Sequence, residues 1–144
     1  REAMAELAKM GYKTALVTGG FTIIAEKVGS RLGMDHVVAN TLIFKKGIAT
    51  GEVSGPLLEQ NSKGDVVEQL LKKEKLSHKD CIVVGDGSND LSMFNKAGFR
   101  VAFNARPILK NAADIVINQK DLRPLIAIIK ALRNELKGEI KENA

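Results

Sequence analysis

A single cysteine, few aromatic residues and no long apolar run bound this 144-residue chain before any motif is read. Cys81 stands alone, so the chain forms no internal disulfide, and its place at the head of an apolar run reads as a small core residue in a reducing cytoplasm. Aromatic side chains make up 4% of the sequence. That leaves little for stacking on bases, and nucleic acid is not expected as a partner. No stretch reaches the ~18 apolar residues of a membrane span, and no membrane partner is expected. The two histidines, His36 and His78, lie far from each other and from any acidic cluster, without the spacing of metal ligands. Internal repeats, low-complexity tracts and linkers are also lacking, so the length reads as one domain able to bury a core.

Hydrophobic residues make up 44% of the chain, which fits a folded rather than a disordered protein. The net charge of +5 arises from 22 basic against 17 acidic side chains. The excess gathers on helical stretches: Lys72, Lys73 and Lys75, then Lys130, Arg133, Lys137 and Lys141. These read as solvated helix faces, and their field mildly favours an anionic substrate.

The periodicities predict an alternation of helix and strand. A first helix ends near Met10, a strand covers Lys13–Val17, and a helix Thr22–Leu32 is closed by Gly33. A strand His36–Ala39 follows, then a hairpin between Thr41 and Val53 turning at Lys46-Gly47, broken by Gly55-Pro56. Helix Ser62–Lys75, strand Cys81–Val84, helix Asn89–Ala97 and strand Arg100–Phe103 come next. A short helix from Pro107 and a strand Ile115–Ile117 lead to Asp121, expected to cap a terminal helix. That helix should bury Leu125, Ile126, Ile128, Ile129, Leu132 and Leu136 and fray from Gly138 to Ala144. Such alternation implies an α/β fold, a parallel sheet with helices on both faces.

Chemistry concentrates in three places along this pattern. The first is Gly85-Asp86-Gly87-Ser88-Asn89-Asp90, between an apolar strand and a helix start. It puts two carboxylates four residues apart at the crevice where open α/β sheets bind ligands. Carboxylate oxygens suit Mg²⁺, and the amides of a glycine loop suit phosphate. An ordinary Asp/Asn/Gly turn explains the same residues taken alone. The second place is Thr18-Gly19-Gly20-Phe21, again a strand end running into a helix, where a hydroxyl and free N–H groups can seat an anion. The third is Asn61-Ser62-Lys63-Gly64 at a helix start, where Lys63 can set a positive charge beside a phosphate.

In this order the segments resemble the haloacid dehalogenase (HAD) superfamily of phosphohydrolases, and within it the phosphoserine phosphatases. The matching stretches are residues 17–21, 61–64, 85–98 and 101–117, with the hairpin between Thr41 and Gly55, so the likeness covers nearly the whole chain. The resemblance implies a three-layer α/β/α Rossmann-like core with a small β-hairpin insertion. It also implies a Mg²⁺-dependent hydrolysis of a phosphomonoester, foremost O-phospho-L-serine in serine biosynthesis. Another cap-bearing phosphatase of the superfamily, or a non-catalytic phosphate-binding module, is the alternative. By the same resemblance Asp86 is a metal ligand, and Asp90 orients the metal's water shell and pairs with Lys63. Thr18 and the Gly19 N–H hold phosphate oxygens, Lys63 neutralises the phosphate, and Asn89 contacts phosphate or a metal-bound water. Gly20 and Gly87 allow close backbone approach.

One departure is large. The family forms an aspartyl-phosphate on an aspartate of an Asp-x-Asp-x-Thr motif carried by its first, central strand, followed by a helical cap; residues 1–144 contain neither. They are therefore expected to be a partial core domain, inactive by itself, with the central strand supplied by a separate N-terminal segment or by another copy. Thr18 stands where these phosphatases usually carry serine, a change that keeps the hydroxyl.

Overall fold

The computed structural model describes residues 1–142. Six helices and six strands alternate: α1 Glu2–Lys9, β1 Ala15–Phe21, α2 Thr22–Leu32, β2 His36–Lys45, β3 Ile48–Ser54, α3 Ser62–Glu74, β4 Ile82–Gly85, α4 Leu91–Phe94, β5 Phe99–Phe103, α5 Pro107–Ala112, β6 Ile115–Ile117 and α6 Pro124–Glu142. The fold class read from the sequence stands: this is a Rossmann-like α/β core with parallel strands.

The strands form two three-stranded ladders. In one, β5 lies between β4 and β6, all parallel. Its strands are short apolar runs covered on both faces, as parallel sheets require. Alternation along the backbone sorts their side chains. Val83 and Ala102 face a core made with Val67 and Leu71 of α3, Met93 and Phe94 of α4 and Leu109 of α5. Val101 and Ile117 face the opposite way, onto Leu7 of α1 and Leu125 and Ile129 of α6. Helices on both sides of one sheet give the three layers. Phe94, Leu109 and Val101 are the largest fully buried side chains, each adding about 1.5–3 kcal/mol by burial.

In the other ladder β2 lies between β1 and β3 and changes partner midway. Its first half runs parallel to β1, from Ala15↔His36 to Phe21↔Asn40. Its second half runs antiparallel to β3, from Thr41↔Ser54 to Lys45↔Ile48. The strand His36–Ala39 and the hairpin expected from the sequence are thus one continuous strand and its return. Lys46 and Gly47 both have positive φ, 50° and 77°, the geometry of a two-residue hairpin turn. Asp35 ties the start of this ladder, accepting from both the N–H and the hydroxyl of Thr14. The strand predicted at Lys13–Val17 lies two residues later and runs on through Thr18-Gly19-Gly20 to Phe21, because β2 still pairs with it there.

The two ladders do not pair with each other: among the described residues β1 has only β2 as a neighbour, and β4 only β5. Other contacts connect them. Val17 packs against the Val83–Met93 core, and His36 Nε2 lies 2.6 Å from Glu74 Oε1, joining β2 to the end of α3.

Three further expectations are corrected. The helix predicted at Asn89–Ala97 is a 3-10 turn Ser88–Asp90 followed by the short α4. Asp90 turns back onto its own loop, and the far end tightens into Lys96→Met93 and Ala97→Phe94 bonds before β5. Asp121 does not cap α6; its carboxylate accepts from the N–H of Arg123, closing a turn upstream of Pro124. The terminal helix continues through Gly138 to Glu142 rather than fraying from Gly138. Leu125 and Ile129 are buried and Ile126, Ile128 and Leu132 half-buried. The side chain of Leu136 and residues 143–144 lie outside what is described.

Candidate functional site

β4 ends at Gly85, and the loop that follows folds around one carboxylate. Asp90, 3% exposed, accepts the N–H of Asp86 at 2.9 Å and that of Gly87 at 3.3 Å on Oδ2. Its Oδ1 receives Lys63 Nζ at 2.7 Å. Lys63 and Asp90 are twenty-seven residues apart, and both side chains are largely buried, 13% and 5% exposed. Burial alone pushes the Asp90 carboxyl up. The Lys63 ammonium and the two backbone donors outweigh it, so Asp90 is held below the usual carboxylate value and stays ionised.

The backbone makes room for this carboxylate at Gly85. A Cβ there would lie 2.7 Å from Asp90 Cβ, a contact side chains do not tolerate. Gly64 is a second tight glycine beside the pair, where a Cβ would meet the Ser92 carbonyl oxygen at 2.6 Å. The Gly64 N–H also donates to Ser92 Oγ at 3.1 Å. Asn61 makes no side-chain cap on α3; the Gly64 N–H is shared between the Asn61 carbonyl and this hydroxyl from α4, which helps fix the end carrying Lys63. The sequence singled out Gly20 and Gly87 for close approach, and both are milder. A Cβ at Gly20 would meet Thr18 Oγ1 at 3.3 Å, and one at Gly87 would meet the movable tip of Asn89 at 2.9 Å. Neither packing glycine is marked by its own sequence signal: Ser92 reaches Gly64 only once α3 and α4 dock, and Asp90 meets Gly85 only because the loop folds back on itself.

Asp86 and Asn89 are exposed on the same loop. Asp86 forms no ion pair among the described residues, so its carboxylate is available to a ligand. No group of three His, Cys, Asp or Glu side chains able to hold a metal occurs among the described residues. Asp90 is already committed to Lys63 and two amides, which leaves one free carboxylate. Mg²⁺ asks for near-octahedral oxygen ligation. These residues therefore offer it a ligand and do not build its whole site.

Thr18 and Gly19 sit on β1, which α3 contacts. Thr18 is half-buried and its Oγ1 accepts the Gly20 N–H at 3.1 Å. An acceptor used in this way leaves the hydroxyl hydrogen to be donated outward. The end of β4, the start of α3 and the loop into α4 thus bring together the Lys63–Asp90 pair and the exposed Asp86 and Asn89, while Thr18-Gly19 lie within β1 on the neighbouring ladder. No side-chain hydrogen bond joins Thr18 to Lys63 or Asp86 among the described residues. The groove between α1 and α6, lined by Glu6, Arg123 and Lys130 among others, holds none of these groups.

Comparison with known proteins follows the same lines. A model of the haloacid dehalogenase-like hydrolases matches residues 1–95. The phosphoserine phosphatase of Methanocaldococcus jannaschii is 47% identical over 129 residues, covering 90% of this chain and 61% of that protein. That of Wolinella succinogenes is 41% identical over 127 residues, covering 88% and 62%. A solved substrate-bound phosphoserine phosphatase complex superposes with a TM-score of 0.85 at 46% identity, over 88% of this chain and 60% of the other. The chain spans about three fifths of the length of these relatives.

Proposed function

Because the chain belongs to the haloacid dehalogenase-like hydrolases, we propose that it forms the charge-neutralising, phosphate-seating part of a Mg²⁺-dependent phosphomonoester hydrolase whose substrate is O-phospho-L-serine. The observation that carries this reading is the buried Lys63–Asp90 pair at 2.7 Å, set on the loop that also bears the exposed Asp86. Phosphoryl transfer depends on placing positive charge and hydrogen-bond donors around a dianion. Asp90 holds the Lys63 ammonium at one position, where it meets a phosphate oxygen and the charge developing in the reaction. Thr18 donates its hydroxyl hydrogen and Gly19 its N–H to other phosphate oxygens. Asn89 donates to phosphate or to a bound water. Asp86 contributes one oxygen ligand to Mg²⁺, which when bound neutralises further phosphate charge. The substrate class is supported by the phosphoserine phosphatases of 47% and 41% identity.

No carboxylate of these residues is placed to take the nucleophile's part, since Asp90 is engaged and Asp86 is read as a metal ligand. We place the nucleophile on a strand lying between β1 and β4, contributed by a segment outside these residues or by a second copy. Each of those strands has a neighbour on one side only, and buried unpaired backbone groups cost about 1–3 kcal/mol apiece. The test compares phosphate release from phosphoserine, with saturating Mg²⁺, by residues 1–144 and by the protein expressed from its complete coding region. Activity is expected in the second and absent from the first. Turnover by residues 1–144 that is lost in Asp86→Ala would show them to be self-sufficient and overturn the assignment of the nucleophile.

A further inference from the structure

Two polar side chains stand in the buried interior among the described residues, Asp90 and Asn40, each 3% exposed. Asp90 is accounted for by Lys63 and its loop. From the geometry of the other we infer that Asn40 is a positioning residue: it holds the Gly19–Gly20 peptide of the phosphate seat and ties it to the segment that delivers Lys63. The inference rests on the phosphohydrolase reading for the nature of the ligand.

Asn40 stands where β2 leaves β1 and takes up β3, so its side chain points into the junction instead of joining either ladder. There it pairs with the backbone of Leu57 as a strand would. Its Nδ2 donates to the Leu57 carbonyl at 3.0 Å, and its Oδ1 accepts the Leu57 N–H at 2.9 Å. This double bond pattern fixes the plane of the amide and decides which end is nitrogen. The second hydrogen on Nδ2 is then directed to the Gly19 carbonyl, at 3.4 Å, a long hydrogen bond. Carbonyl and N–H of that peptide unit lie on opposite sides, and the Gly20 N–H is held by Thr18 Oγ1 at 3.1 Å. The peptide is thus tethered at both ends. A flip would break both bonds and turn the Gly19 carbonyl oxygen toward Thr18 Oγ1, whose hydroxyl the phosphate seat uses.

The other arm of the clamp leads toward Lys63. Leu57 is buried, and five residues separate it from Lys63 in the first turn of α3. Gly55 completes the junction. Its φ of +135° suits glycine alone, and a Cβ there would lie 2.7 Å from Asn40 Oδ1 and 2.9 Å from Asn40 Cα. One side chain therefore relates the donors on β1 to the segment that leads into the cation at the start of α3.

The experiment uses the protein from its complete coding region, labelled with ¹⁵N, with inorganic phosphate as the probe. Asn40→Asp keeps the shape but replaces both Nδ2 donations by a carboxylate oxygen facing two carbonyls. Ile129→Ala, in the opposite core, serves as a control that lowers stability without touching the junction. In Asn40→Asp the hydrogen exchange of the Gly20 amide should quicken at least tenfold and the phosphate dissociation constant should rise at least tenfold. Ile129→Ala should lower the melting temperature and move neither under conditions where it is folded. Should Asn40→Asp fail to fold, Asn40→Ser, which loses the reach to Gly19, takes its place with the same expectation. Unchanged Gly20 exchange in the folded Asn40 variant, or an equal change in the control, overturns the inference. A wild-type protein that binds no phosphate overturns the phosphohydrolase reading instead, and Gly20 exchange still decides the role of Asn40.

Discussion

Replacing Lys63 by methionine isolates the electrostatic term at the centre of the site. Methionine keeps the unbranched stem and removes the ammonium. Asp90 then remains 3% exposed with its Oδ2 on the Asp86 and Gly87 amides and nothing on Oδ1. Breaking a buried ion pair from one side costs about 3–5 kcal/mol. Two surviving amide donors and the 13% exposure of Lys63 put the expected loss at the low end, ~3 kcal/mol, or about 10 °C in melting temperature for a domain of this size. The double variant Lys63→Met with Asp90→Asn should recover most of the loss, because a neutral amide oxygen still accepts both N–H groups and no charge is stranded.

The pH dependence carries a sign. Asp90 in the folded protein sits below the ordinary aspartate value, so its contribution is complete above that value and disappears as pH falls through the lower folded one. In Lys63→Met the burial effect is no longer outweighed and the Asp90 pKa moves up. The variant then regains stability relative to wild type on acidification. Urea unfolding of the three proteins at pH 7 and pH 3 measures this. A Lys63→Met variant within about 1 kcal/mol of wild type at pH 7, or a difference that does not shrink at pH 3, would refute the assignment of a desolvated, mutually dependent pair.

Gly85→Ala should destabilise by about 2–4 kcal/mol and weaken phosphate binding, since its methyl would stand 2.7 Å from Asp90 Cβ; calorimetry and a phosphate titration read the two effects together. Asp86→Asn should leave the melting temperature within about 1–2 °C, its side chain being exposed and without an ion pair, while abolishing the response of activity to Mg²⁺. Ser92→Ala should cost no more than about 1 kcal/mol, because the Gly64 N–H loses the hydroxyl but keeps the Asn61 carbonyl, and should raise the mobility of Lys63 as seen in its side-chain NMR relaxation. Arg100→Ala should cost no more than about 1 kcal/mol despite its two-pronged bond to Asp114, because both side chains are about one third exposed and water screens the pair; a shift above 2 kcal/mol in urea unfolding would contradict this.

Much of this protein is legible from residue order alone, because the signals are local. The period of apolar residues places α2 at Thr22–Leu32 and β6 at Ile115–Ile117 as observed, and Lys46-Gly47 marks the hairpin turn by its own backbone preference. The family resemblance implies the pairing of Lys63 with Asp90, and the gathering of strand and helix ends on one edge of a parallel sheet brings Lys63 to this loop without choosing between Asp86 and Asp90. Tertiary structure decided what depends on docking. The short α4 replaces a longer predicted helix because Asp90 bonds to its own loop while Lys63, twenty-seven residues away, holds its other oxygen. Gly64 is required by Ser92, a partner adjacent only once α3 and α4 pack, whereas Gly85 is required by Asp90 of its own loop. Asn40 reads in sequence as one polar residue in a strand. Its burial against Leu57 and Gly19 appears only when β2 changes partner between β1 and β3, because a side chain's role at such a junction is set by elements far apart in the chain.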